Sequence, residues 1–266
     1  MSYNFDKDQN HYFFKNNNSI PLVFIHGVGL NQSMWLPQID YFKNKTLLTY
    51  DLLGHGKTPY NKSIINIEDF RSQLKNLLNN LKIKKINLIG FSIGALIAID
   101  FAYEYKKYLN SLTLIATTYK RTEEERQNVI DRLNLAKKNM PISKLAMKRW
   151  FSDKYLEDNP SIYEEFMNIL NKSGEDHNNF IKAYDLFANY RDDEKKLKQI
   201  NTKTLIITGS DDPGSTPKMS KELNNDMPNS RFIKIKGGKH LCSIECSDDV
   251  NIAIKDHINN AWIKKI

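Results

Sequence analysis

The chain predicts an α/β fold in which a mostly parallel, doubly wound sheet carries an inserted helical cap. Three observations lead there. Apolar runs of strand character alternate with helix-like segments over the first 117 residues, the pattern of successive βα units. Strand character then vanishes from 118 to 198, where long charged, helix-forming stretches take over, and it returns at Thr204. The third observation is Gly90-Phe91-Ser92-Ile93-Gly94, a G-x-S-x-G run entered from an apolar strand and followed by a segment free of Gly and Pro. The sheet core is accordingly assigned to 1–117 and 199–266, and the cap to 118–198.

Residues 1–18 alternate polar and aromatic side chains and reach a turn at Asn16-Asn17-Asn18, which reads as an edge hairpin. Pro21 to Ile25 is a β-rich apolar run suited to a strand buried on both faces, and it stops at His26-Gly27-Val28-Gly29. A short helix over Ser33 to Phe42 precedes a second buried strand, Thr46 to Tyr50, which runs into the glycine-punctuated loop Asp51 to Gly56. Ile67, Phe70, Leu74, Leu77, Leu78 and Leu81 recur at helical spacing, so 67–82 is an amphipathic helix. The strand Ile86 to Ile89 feeds the Ser92 turn, the helix Ala95 to Ala102 leaves it, and Ser111 to Ala116 is the next strand. Within the cap, Pro141 and Pro160 separate helices. Thr204 to Thr208 and Arg231 to Ile235 complete the strands, and a last helix spans about Asp248 to Ile263.

With 266 residues and 40% apolar content the chain can bury a substantial core. The polar opening Met1 to Asp8 reads as neither a signal peptide nor an anchor, and no apolar run approaches the ~18 residues of a membrane span. Two cysteines, Cys242 and Cys246, make no disulfide framework, and the expectation is a cytoplasmic protein with no membrane partner. The net charge of +8 comes from basic residues interleaved with acids rather than set in a stripe, so nucleic acid is not an expected partner, while a positive field favours small anionic substrates. No cofactor is expected. A metal site built from His240, Cys242 and Cys246 lacks a fourth ligand and a known spacing.

A G-x-S-x-G arises by chance in roughly one chain in ten of this length, so its context carries the weight. A nucleophilic serine must stand on a strained turn, and side chains two residues either side would strike the neighbouring strand and helix. Its hydroxyl needs a base, and the base needs a carboxylate to fix its tautomer. Downstream, Gly209-Ser210-Asp211-Asp212-Pro213 and Gly237-Gly238-Lys239-His240 each follow a strand, on the sheet edge that carries Ser92. His240 alone of the six histidines has this placement: His26 shapes the backbone of its loop, His55 sits in a glycine loop, His177 in the cap, and His11 and His257 read as surface positions. Asp211 and Asp212 both remain candidates for the acid. Oxyanion donors are expected from the N–H of Ile93, after the nucleophile, and of Val28, after His26-Gly27.

These pieces, with Asp51-x-x-Gly54-His55-Gly56, resemble the α/β-hydrolase superfamily over essentially the whole chain. The resemblance implies the α/β-hydrolase fold, and because the family's acid lies three residues after the glycine it selects Asp212. A narrower likeness is to 3-oxoadipate enol-lactonases and carboxylesterase-like relatives, carried by His26 to Leu30 with Met34-Trp35, by Arg149-Trp150-Phe151, by Gly209 to Pro217 and by His240 to Glu245. It implies that Arg149 and Trp150 line the substrate pocket, Arg149 meeting a substrate carboxylate. The expected activity is hydrolysis of a small carboxylic ester or lactone through an acyl-enzyme on Ser92, with 3-oxoadipate enol-lactone as the type of substrate. A general carboxylesterase or thioesterase, a C–C bond hydrolase, and a binding protein that kept the fold without turnover are the alternatives.

Overall fold

A computed structural model of the protein describes residues 2–259. Eight strands form one sheet: β1 (Tyr3–Phe5), β2 (His11–Lys15), β3 (Leu22–Ile25), β4 (Leu47–Tyr50), β5 (Ile86–Phe91), β6 (Leu109–Ile115), β7 (Thr204–Gly209) and β8 (Ser230–Ile235). Their spatial order is β1-β2-β4-β3-β5-β6-β7-β8. β1 and β2 are the edge hairpin, antiparallel to each other and to β4, and every later pairing is parallel.

Helices cover both faces, which is why β3 and β5 are apolar on both sides. On one face lie α2 (Ile67–Asn80), α3 (Ile93–Glu104) and, after the insertion, the helix Pro217–Asp226; on the other lie α1 (Leu36–Tyr41) and the closing helix Ser247–Ile258. The amphipathic helix predicted over 67–82 buries Phe70, Leu74, Leu77 and Leu78 and starts at a capping box between Asn66 and Asp69. α3 is apolar on every side because it is enclosed on every side. Its one buried charge, Asp100, is held by Arg71 at 2.6 Å and Lys196 at 3.2 Å.

Between β6 and β7 every element is helical: α4 (Glu123–Lys137), α5 (Ser143–Trp150), α6 (Asp153–Asp158), α7 (Pro160–Leu170), α8 (Gly174–Asn189) and α9 (Glu194–Leu197). Pro160 opens α7 at its first turn, and Pro141 falls between α4 and α5. α4 and α8 share a cluster of Val129, Leu133, Phe180 and Tyr184, whereas Trp150 and Phe151 reach down into the sheet core beside Trp35 and Phe91. α9 rests on α3, its Leu197 part of the cluster beneath the sheet. After β7 come α10 (Pro217–Asp226), α11 (Cys242–Glu245) and α12 (Ser247–Ile258). The predicted extension of the last helix to Ile263 lies outside the described residues. No described helix is long and apolar enough to cross a membrane.

Two histidines assigned to the surface are buried instead. His11 lies under the hairpin with Nδ1 2.6 Å from Asp51 Oδ2. His257 sits fully buried against β6, its Nε2 3.0 Å from the Leu112 carbonyl. Val250, Ala253, Ile254 and His257 share one helical stripe, and that stripe faces the sheet.

Candidate active site

The sheet progresses outward in one direction from β3 to β4 and in the other from β5 to β8, so the loops after β3 and β5 diverge and leave a crevice between them. Both loops put their glycine-flanked residues there. Ser92 follows β5 with φ 56° and ψ −118°, a conformation that costs a non-glycine residue energy and is held only when surrounding contacts enforce it. The enforcement is visible on both sides. A Cβ on Gly90 would strike the carbonyl oxygen of Gly94, and a Cβ on Gly94 would strike the carbonyl of Ile25 and lie 2.6 Å from that of His26. Gly90 lets the turn close on α3, and Gly94 lets α3 close on β3.

The loop after β3 is fixed by His26, which is fully buried. Its Nε2 accepts the Leu52 N–H at 2.9 Å, so the proton resides on Nδ1, which donates to the Gly27 carbonyl at 2.8 Å. Burial, partly opposed by the Asp51 carboxylate, lowers its pKa to about 4 and keeps the ring neutral. Holding the Gly27 oxygen on the His26 side turns the Val28 N–H the opposite way, because the two belong to one planar trans peptide. Gly27 and Val28 line the pocket with Ser92. Among the described residues neither the Val28 N–H nor the Ile93 N–H donates to a protein acceptor.

Asp212 and His240 arrive on the loops after β7 and β8. His240 Nδ1 lies 2.7 Å from Asp212 Oδ2, and the other Asp212 oxygen accepts the N–H groups of Gly214 and Ser215 at 2.8 and 3.0 Å. Asp211 is exposed and bonds to the Ser210 hydroxyl. The structure thus separates the two aspartates: Asp212 faces the imidazole. The His240 ring is packed between Phe91 at 5.0 Å and Trp150 at 6.4 Å, the latter nearly parallel to it. Its Nε2 is left for the pocket, and no hydrogen bond joins it to Ser92 Oγ, a contact that in such sites commonly tightens only with substrate. Glu245 secures the arrangement by accepting from Lys239 N at 3.2 Å and from Ser152 N at 3.0 Å, joining the His240 loop to the cap.

Cap residues close the pocket. Trp150 and Arg149 line it, Arg149 standing over Gly214, where a Cβ would lie 2.8 Å from Nη2. Burial lowers the Arg149 pKa, and the positive charge of Arg132 pushes the same way. Arg132 and Tyr184 also line the pocket and carried no signal in any motif, since nothing in the order of residues says which side of a cap helix faces inward; Ser215, within the Gly209 to Pro217 run, lines it too. Most of the remaining wall is apolar, with Val129, Ile142, Leu170, Phe180 and Phe187. Cys242 is buried beneath the His240 loop with its thiol pKa pushed up by desolvation, and among the described residues no group of three or more His, Cys, Asp or Glu could hold a metal.

Known proteins share both the sequence pattern and this architecture. The pattern of the α/β hydrolase fold family matches residues 20–245. An (E)-2-((N-methylformamido)methylene)succinate hydrolase of Acinetobacter baylyi is 27% identical over 95% of this chain and 94% of its own. A 3-oxoadipate enol-lactonase of the same organism is 26% identical over 88% and 86%. Among solved structures, the enol-lactonase of Burkholderia xenovorans superposes with a TM-score of 0.85 at 21% identity, covering 97% of this chain and all of that one. With its family pattern spanning most of the sequence and its sheet of the same architecture, the chain belongs to the α/β hydrolase fold family.

Proposed function

We propose that the protein is a serine hydrolase that opens a small anionic ester or lactone, with 3-oxoadipate enol-lactone as the type of substrate. The observation that carries this reading is the convergence, at one pocket, of Ser92 on its strained turn, the His240–Asp212 pair and the Arg149 guanidinium. His240 Nε2 takes the Ser92 proton as Oγ attacks the carbonyl carbon, and Asp212 stabilises the imidazolium that results. The carbonyl oxygen, now negative, accepts from the N–H groups of Val28 and Ile93, the latter at the positive end of α3. Collapse breaks the acyl–oxygen bond, His240 returns the proton to the leaving oxygen, and the acyl group stays on Ser92. Water, deprotonated by the same imidazole, then releases the acid. In a lactone the leaving oxygen remains tethered to the acyl chain, so the pocket must hold the whole opened molecule until water arrives.

Arg149 suits a carboxylate because its planar fork can bind both oxygens while the Trp150 ring confines the site. The names of the Acinetobacter baylyi relatives, a substituted succinate hydrolase and an enol-lactonase of 3-oxoadipate, both denote carboxylate compounds and support the same class.

The test is labelling with a fluorophosphonate followed by substrate profiling over short esters, thioesters, lactones and diones. Ser92→Ala is expected to abolish labelling and turnover while barely changing thermal stability. Labelling that survives in the variant removes Ser92 as nucleophile; a wild type that neither labels nor hydrolyses returns the protein to a binding role; a preference for neutral esters makes it a general carboxylesterase.

A further inference from the structure

Two cations stand on the wall of the pocket and no carboxylate stands there with them. Arg132 comes from α4 and Arg149 from α5, and neither forms an ion pair among the described residues. Among the described residues the only hydrogen bond of the Arg132 guanidinium is a long one, from Nε to Tyr184 Oη at 3.4 Å, and Tyr184 belongs to the same wall. Next to Gly214, over which Arg149 stands, Ser215 is 99% buried and lines the pocket, and its hydroxyl has no hydrogen-bond partner among the described residues.

Two like charges sharing a mostly apolar pocket repel each other and lose hydration, a cost that Asp212 and Tyr184 offset in part at Arg149 and that a bound anion relieves further. Their chemistry is also selective: seven of the 39 basic residues in the chain are arginine, yet both cations of the pocket wall are. Lysine is the chain's ordinary cation, so a guanidinium at both positions points to planar, two-oxygen recognition rather than to a general positive field. The lactone of a hydroxy- or enol-bearing dicarboxylic acid keeps one free carboxylate after ring closure, enough for one of the two.

We propose that the pocket binds two carboxylates of one substrate, the first on Arg149 with the Ser215 hydroxyl and the second on Arg132 with Tyr184 Oη, so that the substrate is a small dianionic ester or lactone. This rests on the hydrolase reading above, keeps its anionic ester or lactone class, and replaces the singly charged 3-oxoadipate enol-lactone as the type of substrate with a compound that has two free carboxylates. The apolar residues of the same wall, Val129, Ile142 and Phe180 among them, then contact the carbon chain that spaces the two carboxylates.

The experiment is a calorimetric titration of the full-length protein with glutarate and adipate and with the monocarboxylates of equal chain length, pentanoate and hexanoate. A second charge-assisted contact predicts that the better dicarboxylate binds roughly tenfold or more tightly than its monocarboxylate counterpart. Arg132→Gln is expected to bring that ratio towards one, and Arg132→Lys to restore part of it. Tyr184→Phe, which removes one hydroxyl and keeps the ring, lowers the ratio without the risk to folding that a charge deletion carries. Equal affinity of di- and monocarboxylates in the wild type overturns the proposal, as does equal weakening of both classes by Arg132→Gln. Hydrolysis of a neutral phenyl ester, measured alongside, keeps the two readings apart. Ester hydrolysis without dicarboxylate preference leaves the hydrolase and removes the second anion site; dicarboxylate preference without hydrolysis keeps the site and removes the hydrolase.

Discussion

Asp212 Oδ2 stands 2.7 Å from His240 Nδ1, while the carboxylate one residue earlier, Asp211, turns outward to Ser210. Three bonds hold Asp212 in that orientation, two of them from backbone N–H groups that a neutral amide oxygen could also accept. Asp212→Asn is therefore expected to fold normally and to lower kcat by ~10⁴, because the amide holds the imidazole in the wrong tautomer. Asp211→Asn is expected to change kcat less than about twofold, as surface substitutions do. Steady-state kinetics on any ester the wild type cleaves gives the comparison, and the reverse ranking removes Asp212 from its role.

The specificity of Arg149 is tested by its closest substitute. Arg149→Lys keeps the charge and loses the fork, so the ratio of kcat/KM for an anionic lactone to that for a neutral ester of equal size is expected to fall about tenfold or more. A uniform loss on both substrates means that Arg149 supports the Gly214 loop and does not meet substrate.

Gly90 is required by space. A Cβ there meets the backbone oxygen of Gly94, which cannot swing aside as a side chain would. Gly90→Ala is expected to cost about 3 kcal/mol or more and to lower Tm by roughly 6 °C or more, with activity lost through displacement of Ser92. Differential scanning calorimetry decides it; an unshifted Tm means the turn relaxes at little cost.

Acid sensitivity follows from three buried, neutral imidazoles, and burial pushes the pKa of one of them, His55, well below its ordinary range. Burial lowers the pKa of His257 and of His26 to about 4. Between pH 6.5 and 4 the unfolded chain therefore binds more protons than the folded one, so stability falls as the pH drops through that window and is insensitive to these groups above it. Each imidazole is worth roughly 3 kcal/mol across the window. His257→Gln keeps a donor for the Leu112 carbonyl and is expected to flatten the decline of Tm between pH 7 and 4.5, and a decline parallel to wild type rules out His257 as its source.

The order of the elements, the helix face of α2 and the tight turn around Ser92 were legible in the chain, because each is written in neighbouring residues. Period, glycine placement and the residue that follows each strand are local properties, and they carry over directly into β5, α3 and the loops after β7 and β8. Packing between distant segments decided the rest. Asp211 and Asp212 are adjacent, and only the approach of the β8 loop selects the one that faces the imidazole. His11 and His257 look polar in sequence but are buried, because the Asp51 loop covers one and β6 receives the other. Arg132 and Tyr184 come within hydrogen-bond range although 52 residues separate them. The side of a helix that meets a pocket depends on the element it packs against, and in the cap that partner, α8 for α4, lies too far along the chain for any local pattern to announce it.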